Sequence, residues 1–195
     1  MDAGAAQNRD RRAVHAAMVT LVVGGAGSGK SEYAERELCR RSGELTRVYL
    51  ATMRPLGAEA EARIKKHRAQ RAQRGFVTVE RYLDLPALSL PTPCAVLLED
   101  IGNLCANELY DPLGSGDGAE EAVVSGVAHL SRLTRELVVV SNETGAGGAA
   151  YAGDTLRYLR TLGRINRRLA QLSDRVCEVA ALVPVYYKGA ADAPP

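Results

Sequence analysis

Apolar positions along this chain fall in short, dense runs separated by longer stretches of mixed character. The runs are Thr20-Leu21-Val22-Val23, Arg47-Val48-Tyr49-Leu50-Ala51, Phe76-Val77-Thr78-Val79-Glu80, Cys94-Ala95-Val96-Leu97-Leu98 and Leu137-Val138-Val139-Val140. Their length and β-branched content predict strands, with a final strand over 176–187. The 76–80 run alternates apolar and polar, whereas the 94–98 run is continuously apolar, as a strand buried on both faces must be. Between the runs the spacing becomes helical, over 30–42, 58–73, 101–110, 119–134 and 154–172. Strands alternating with helices predict an α/β fold: an open, mostly parallel twisted sheet with helices on both faces. No internal repeat and no linker divides the chain. One domain is expected over 18–188, with a loose extension at 1–17 and a loose tail at 189–195. The Gly- and Pro-rich stretch 111–118 is predicted to be a mobile loop.

Composition narrows the class. The chain has 195 residues, 46% hydrophobic and 25% charged, which suits a globular domain with a sizeable core. Its net charge is +2, and its aromatics are eight Tyr, one Phe and no Trp, so neither charge nor stacking argues for a nucleic-acid partner. Cys39, Cys94, Cys105 and Cys177 are scattered without a C-x-x-C pair, which reads as four reduced, mostly buried thiols of a cytosolic protein. No apolar run is long enough to cross a bilayer, and 1–17 lacks a signal core, so a cytoplasmic location is expected.

The chemistry begins directly after the first strand. Gly24-Gly25-Ala26-Gly27-Ser28-Gly29-Lys30-Ser31 fits G-x-x-x-x-G-K-[ST], a phosphate-binding loop, with a strand before it and a helix-forming run after it. Its glycines let backbone N–H groups turn inward as a nest for phosphate oxygens. Lys30 brings a compact charge to the β- and γ-phosphates, Ser31 can hold Mg²⁺, and the following helix adds its positive end. The strand at 94–98 runs into Glu99 and Asp100, and Glu99 is the expected acidic partner of Mg²⁺. Thr52 and Met53 follow the second strand, and Asn142 and Glu143 follow the fifth run, at the carboxyl edge where such sheets bind ligands. The helix over 58–73 is strongly basic. Arg63, His67 and Arg71 share a face at i, i+4 and i+8, and Ile64 is its one large apolar residue. Spacing alone leaves two readings, a solvated basic face or a histidine ringed by cations for a polyanionic phosphate.

Taken in order, these pieces resemble the adenosylcobinamide kinase/adenosylcobinamide-phosphate guanylyltransferase family of cobalamin biosynthesis. The resemblance spans 18–188. It rests on the phosphate loop, Tyr49-Leu50-Ala51-Thr52, Arg63-Ile64-x-x-His67-Arg68, Val77-Thr78-Val79-Glu80, Leu97-Leu98-Glu99 with Asn107, Val140-Ser141-Asn142-Glu143, and Leu162-Gly163-Arg164-Ile165-Asn166-x-x-Leu169-Ala170. It implies a RecA-like fold, ATP and GTP as nucleotide substrates, Mg²⁺, and a homotrimer. It also implies two activities. One phosphorylates the aminopropanol hydroxyl of adenosylcobinamide. The other transfers GMP from GTP, through a guanylylated histidine matching His67, to adenosylcobinamide phosphate. In that comparison Gly24, Gly25, Ala26, Gly27, Ser28, Gly29, Lys30 and Ser31 cradle the triphosphate. Lys30 and His67 are catalytic, and Thr52, Met53, Arg63, Arg71, Glu80 and Glu99 lie near nucleotide or metal. Asn142 and Glu143 are candidates for contacts to cobinamide or the nucleotide. The chain departs from the common pattern at Gly27, Asp100, Thr161 and 144–150, as a divergent branch would. Two other functions remain open to the sequence: a simpler phosphate-loop kinase that does not use His67, and a nucleotide-binding protein without turnover.

Overall fold

The computed structural model describes residues 17–55, 68, 71–144 and 150–189. In chain order they form β1 (Met18–Gly24), α1 (Lys30–Arg41), β2 (Thr46–Ala51), β3 (Phe76–Glu80), β4 (Cys94–Glu99), α2 (Ile101–Tyr110), α3 (Ala119–Leu133), β5 (Glu136–Asn142), α4 (Gly153–Leu172), β6 (Arg175–Ala180) and β7 (Val183–Lys188). One sheet contains these strands in the order β3-β2-β4-β5-β1-β6-β7. All neighbouring pairs are parallel except the last, β6 with β7. The expected phosphate-loop α/β architecture is therefore present, with β5 between the strand of the loop and the strand that ends in Glu99.

The continuous apolar runs have a simple cause. In β5, Leu137 and Val139 join the core under α2, α3 and α4, while Val138 and Val140 join the core under α1. Side chains alternate across a strand, so a central strand covered on both faces needs apolar residues at every position. Helices cover one face each and need only a stripe. In α4 that stripe is Leu162, Ile165 and Leu169, at i, i+3 and i+7, all essentially buried. Its other flank ties α4 to α3 through Arg164 and Arg168, which pair with Glu120.

Two sequence expectations are corrected. The final strand predicted over 176–187 is a hairpin: β6 and β7 fold back on one another through Ala181 and Leu182, whose φ angles are 49° and 68°. Neither residue signals a turn, because left-handed hairpin positions ordinarily carry Asn, Asp or Gly. The loop at 111–118, expected to be mobile, is tethered. The buried carboxylate of Glu108 accepts hydrogen bonds from Ser115 N and Oγ and from Asp84 N, and 116–118 closes a short 3-10 turn. Of the basic helix predicted over 58–73, residues 58–67 and 69–70 lie outside the described residues, and Arg68 and 71–73 are helical. The proposed terminal extension and tail also lie almost wholly outside. The four cysteines are free, three of them buried. No helix among the described residues is long and apolar enough to cross a membrane.

Candidate functional site

Because β1 to β6 run parallel, their carboxyl ends meet at one edge of the sheet. The register aligns them: Glu80 lies beside Ala51, Ala51 beside Glu99, Glu99 beside Val140, and Gly24 beside Asn142. The glycine-rich loop leaves β1 at this edge. Gly27 and Gly29 adopt φ of 70° and 88°, which side chains with a Cβ seldom reach. Gly24 is glycine for a different reason, since a Cβ there would stand 2.7 Å from Val179 O and 2.6 Å from Ser28 Oγ. Gly29 then serves as the N-cap of α1 with no side-chain cap, so the first N–H groups of the helix remain for an anion. Lys30 Nζ donates to Gly25 O at 3.2 Å, which holds its ammonium against the loop.

The acidic partner comes from β4. Ser31 Oγ donates to Glu99 Oε1 at 2.5 Å, although 68 residues separate the two in sequence. The other carboxylate oxygen, Glu99 Oε2, is buried and has no partner among the described residues. Burial raises the Glu99 pKa from the ordinary 4.5 to about 7, helped by the charge of Asp100 and opposed by the Ser31 hydrogen bond and by Lys30. A hydroxyl and an unpartnered carboxylate oxygen, side by side at the foot of a phosphate loop, match what Mg²⁺ takes from a protein when phosphates supply the rest. Among the described residues no larger His, Cys, Asp or Glu cluster competes for a metal.

Other expected residues sit at the same edge in different circumstances. Thr52 is fully buried, and its hydroxyl bonds with the backbone of Glu99 and Asp100. It therefore ties the end of β2 to the end of β4. Met53 follows it, half-buried. Glu80 is engaged by Tyr82 Oη at 2.7 Å and by Arg68 at 3.4 Å. Arg71 stacks on the Tyr49 ring, its guanidinium carbon 3.6 Å from the centroid, and Arg74 pairs with Glu35 of α1. The described part of the basic segment thus docks on β2, β3 and α1 and is not a purely solvated face. Arg63 and His67 lie outside the described residues.

Asn142 Nδ2 donates to Asp100 Oδ2 at 2.6 Å, while Asn166 Nδ2 donates to Asn142 O. Asn142, Glu143 and Asn166 rim a groove of about 320 Å³ whose floor includes Leu21, Val23 and Leu162. Sequence reasoning gave Asp100 no role. It caps α2 through Gly102 N and anchors Asn142, and the strand-end acid followed by a helix was its one available signal. Asn107, read only through the resemblance, donates to Thr52 O and Tyr82 O and so ties together the segments that follow β2 and β3.

Comparison with known proteins gives this edge a family. Residues 20–186 match the model of the cobinamide kinase / cobinamide phosphate guanyltransferase family. The chain is 32% identical over 186 residues to the bifunctional adenosylcobalamin biosynthesis protein CobU of Escherichia coli K12, covering 88% of this chain and all of that one. It is 35% identical over 176 residues to CobP of Pseudomonas aeruginosa (88% and 98% covered) and 34% identical over 187 to CobU of Salmonella typhimurium (88% and 100%). A KaiC-like protein of Pyrococcus horikoshii is a distant structural likeness, at 10% identity and a TM-score of 0.45 over 84% of this chain and 71% of that one. With its phosphate loop, its Ser31–Glu99 pair and a match that runs nearly end to end, this chain belongs to the cobinamide kinase / cobinamide phosphate guanyltransferase family.

Proposed function

We propose that the protein phosphorylates adenosylcobinamide and then transfers GMP from GTP to adenosylcobinamide phosphate, giving adenosylcobinamide-GDP in the assembly of cobalamin. The observation that carries the reading is the meeting of Ser31 with the buried Glu99 carboxylate at 2.5 Å, beside a phosphate loop, in a chain of this family. The loop from Gly24 to Ser31 holds the triphosphate of ATP or GTP, with inward N–H groups and Lys30 balancing its charge. Ser31 and Glu99 are the groups that would hold Mg²⁺, which supplies charge neutralisation on the phosphates when bound. Met53, Arg71 and Glu80 belong to the nucleotide side of the edge, and Thr52 acts through the end of β4. Asn142 and Glu143, on the groove rim, belong to the cobinamide side.

In the kinase step the acceptor hydroxyl oxygen attacks the γ-phosphorus. The bond to the β–γ bridging oxygen breaks, a nucleoside diphosphate leaves, and the hydroxyl proton is lost. In the second reaction an imidazole nitrogen of His67 attacks the α-phosphorus of GTP and pyrophosphate leaves. A phosphate oxygen of adenosylcobinamide phosphate then takes the GMP and frees the imidazole, so one difficult transfer becomes two easier ones. Lys65, Lys66 and Arg68 neighbour His67 in sequence, and their charge would stabilise the negative charge that develops on phosphorus. The reading includes a cytoplasmic location and a homotrimer, for which a sedimentation mass of one chain would be contrary evidence.

GTP labelled at its α-phosphate tests the nucleophile. The protein is expected to take up the label in a bond labile to acid and stable to base, and His67→Ala is expected to lose it. Labelling that persists in His67→Ala would remove His67 from this role. Phosphorylation of adenosylcobinamide with no adduct at all would leave a simpler kinase.

A further inference from the structure

The β6–β7 hairpin ends on the phosphate loop. Leu182 N donates to Ser28 O at 2.9 Å. The Leu182 side chain rests where a Cβ on Gly29 would lie, with Cδ2 2.1 Å and Cγ 2.9 Å from that point. The turn that achieves this is costly. It has two residues, Ala181 and Leu182, both at positive φ, where Asn-Gly would be relaxed and a γ-branched side chain is disfavoured. Core packing does not account for the choice, because Leu182 is 50% exposed. Non-glycine residues held in such a conformation point toward a functional constraint.

The geometry supplies one. A trans peptide is planar, so its C=O and N–H point in opposite directions. With Ser28 O bound to the hairpin, the N–H of the same peptide, that of Gly29, is turned away from the hairpin. Gly29 is the N-cap of α1, whose N–H groups face the anion in the proposed function. We infer that Leu182 is a positioning residue for nucleotide binding. Its N–H sets the Ser28–Gly29 peptide in the orientation that presents Gly29 N–H to a phosphate oxygen. Its side chain closes the back of the loop against water, so that the peptide does not flip when phosphate is absent. The role deepens the proposed nucleotide site and rests on that reading.

Two variants separate the backbone and side-chain contributions. Leu182→Gly keeps the N–H and relaxes the turn but removes the side chain. Two glycines inserted between Ala181 and Leu182 move the N–H out of register with Ser28 O. Equilibrium binding of a β,γ-imido GTP analogue with Mg²⁺, steady-state kinetics and thermal unfolding are measured on each and on the wild type. Leu182→Gly is expected to unfold at the same or a higher temperature while the dissociation constant and the nucleotide KM rise about fivefold and kcat stays within about twofold. The insertion is expected to weaken binding by about tenfold or more. Wild-type affinity in both variants, with the wild type binding well, overturns the positioning role alone. A wild type that binds no nucleotide overturns the proposed function and this role with it.

Discussion

At the scale of single residues, Glu99 has the most informative setting. Its carboxylate is buried beside Ser31, with one oxygen unpartnered among the described residues and a pKa raised to about 7. The folded state therefore holds a proton between pH 4.5 and 7 that the unfolded chain has released. Stability from this group is fully present below the unfolded value and is lost as pH rises through the folded one, by about 3 kcal/mol in all. In the proposed site, Mg²⁺ held by Glu99 would have the opposite slope, since it needs the ionised carboxylate and would strengthen through pH 7. Urea unfolding at pH 5 and pH 8, without nucleotide, should show the wild type losing stability relative to Glu99→Gln. The variant should also lose the pH dependence of Mg²⁺-nucleotide binding. Parallel pH profiles in the two proteins would contradict this account of the site. Residue identity could suggest Glu99 from the motif upstream. The orphaned oxygen and the raised pKa exist only because β4 delivers the carboxylate beside α1.

At the scale of elements, two helix glycines make opposite predictions. Replacing glycine by alanine within a helix ordinarily favours the helix by about 1 kcal/mol. At Gly163 in α4 a Cβ would meet nothing within 4 Å, so Gly163→Ala should raise stability by up to about that amount. At Gly126 in α3 a Cβ would stand 2.6 Å from Leu85 Cβ, and Leu85 is 1% exposed with no room to retreat. Overpacking costs about 1–3 kcal/mol and outweighs propensity, so Gly126→Ala should be net destabilising. Denaturant midpoints of the two variants give the comparison, and a stabilised Gly126→Ala would refute the packing argument. The elements themselves were largely legible, since burial on both faces writes continuous apolar runs into β4 and β5 and amphipathic spacing into α4. The β6–β7 turn was not legible. Its left-handed residues are Ala181 and Leu182, neither of them a turn residue, and the Leu182 N–H bond to Ser28 O joins segments far apart in the chain.

At the scale of the whole molecule, binding at one edge must stabilise the entire cooperative unit. Nucleotide at about 100 times its dissociation constant adds about 2.7 kcal/mol, which for a domain of this size raises the unfolding temperature by about 5–10 °C. Lys30→Ala should abolish that shift for both ATP and GTP with Mg²⁺ while leaving the unliganded midpoint nearly unchanged, because among the described residues its one hydrogen bond is to Gly25 O at a half-exposed site. An undiminished shift in Lys30→Ala, read by calorimetry, would refute the central role of the loop. The class of fold, the phosphate loop and the family were legible in the chain, because each is carried by local periodicity or by a short ordered motif. Folding alone sets which strand lies between β1 and β4, that Ser31 meets Glu99 across 68 residues, that Thr52 hydrogen-bonds to the end of β4, and that Leu182 of the β6–β7 hairpin hydrogen-bonds to Ser28 of the loop. These are contacts between distant segments, and the sheet order that creates them leaves no periodic trace in the chain.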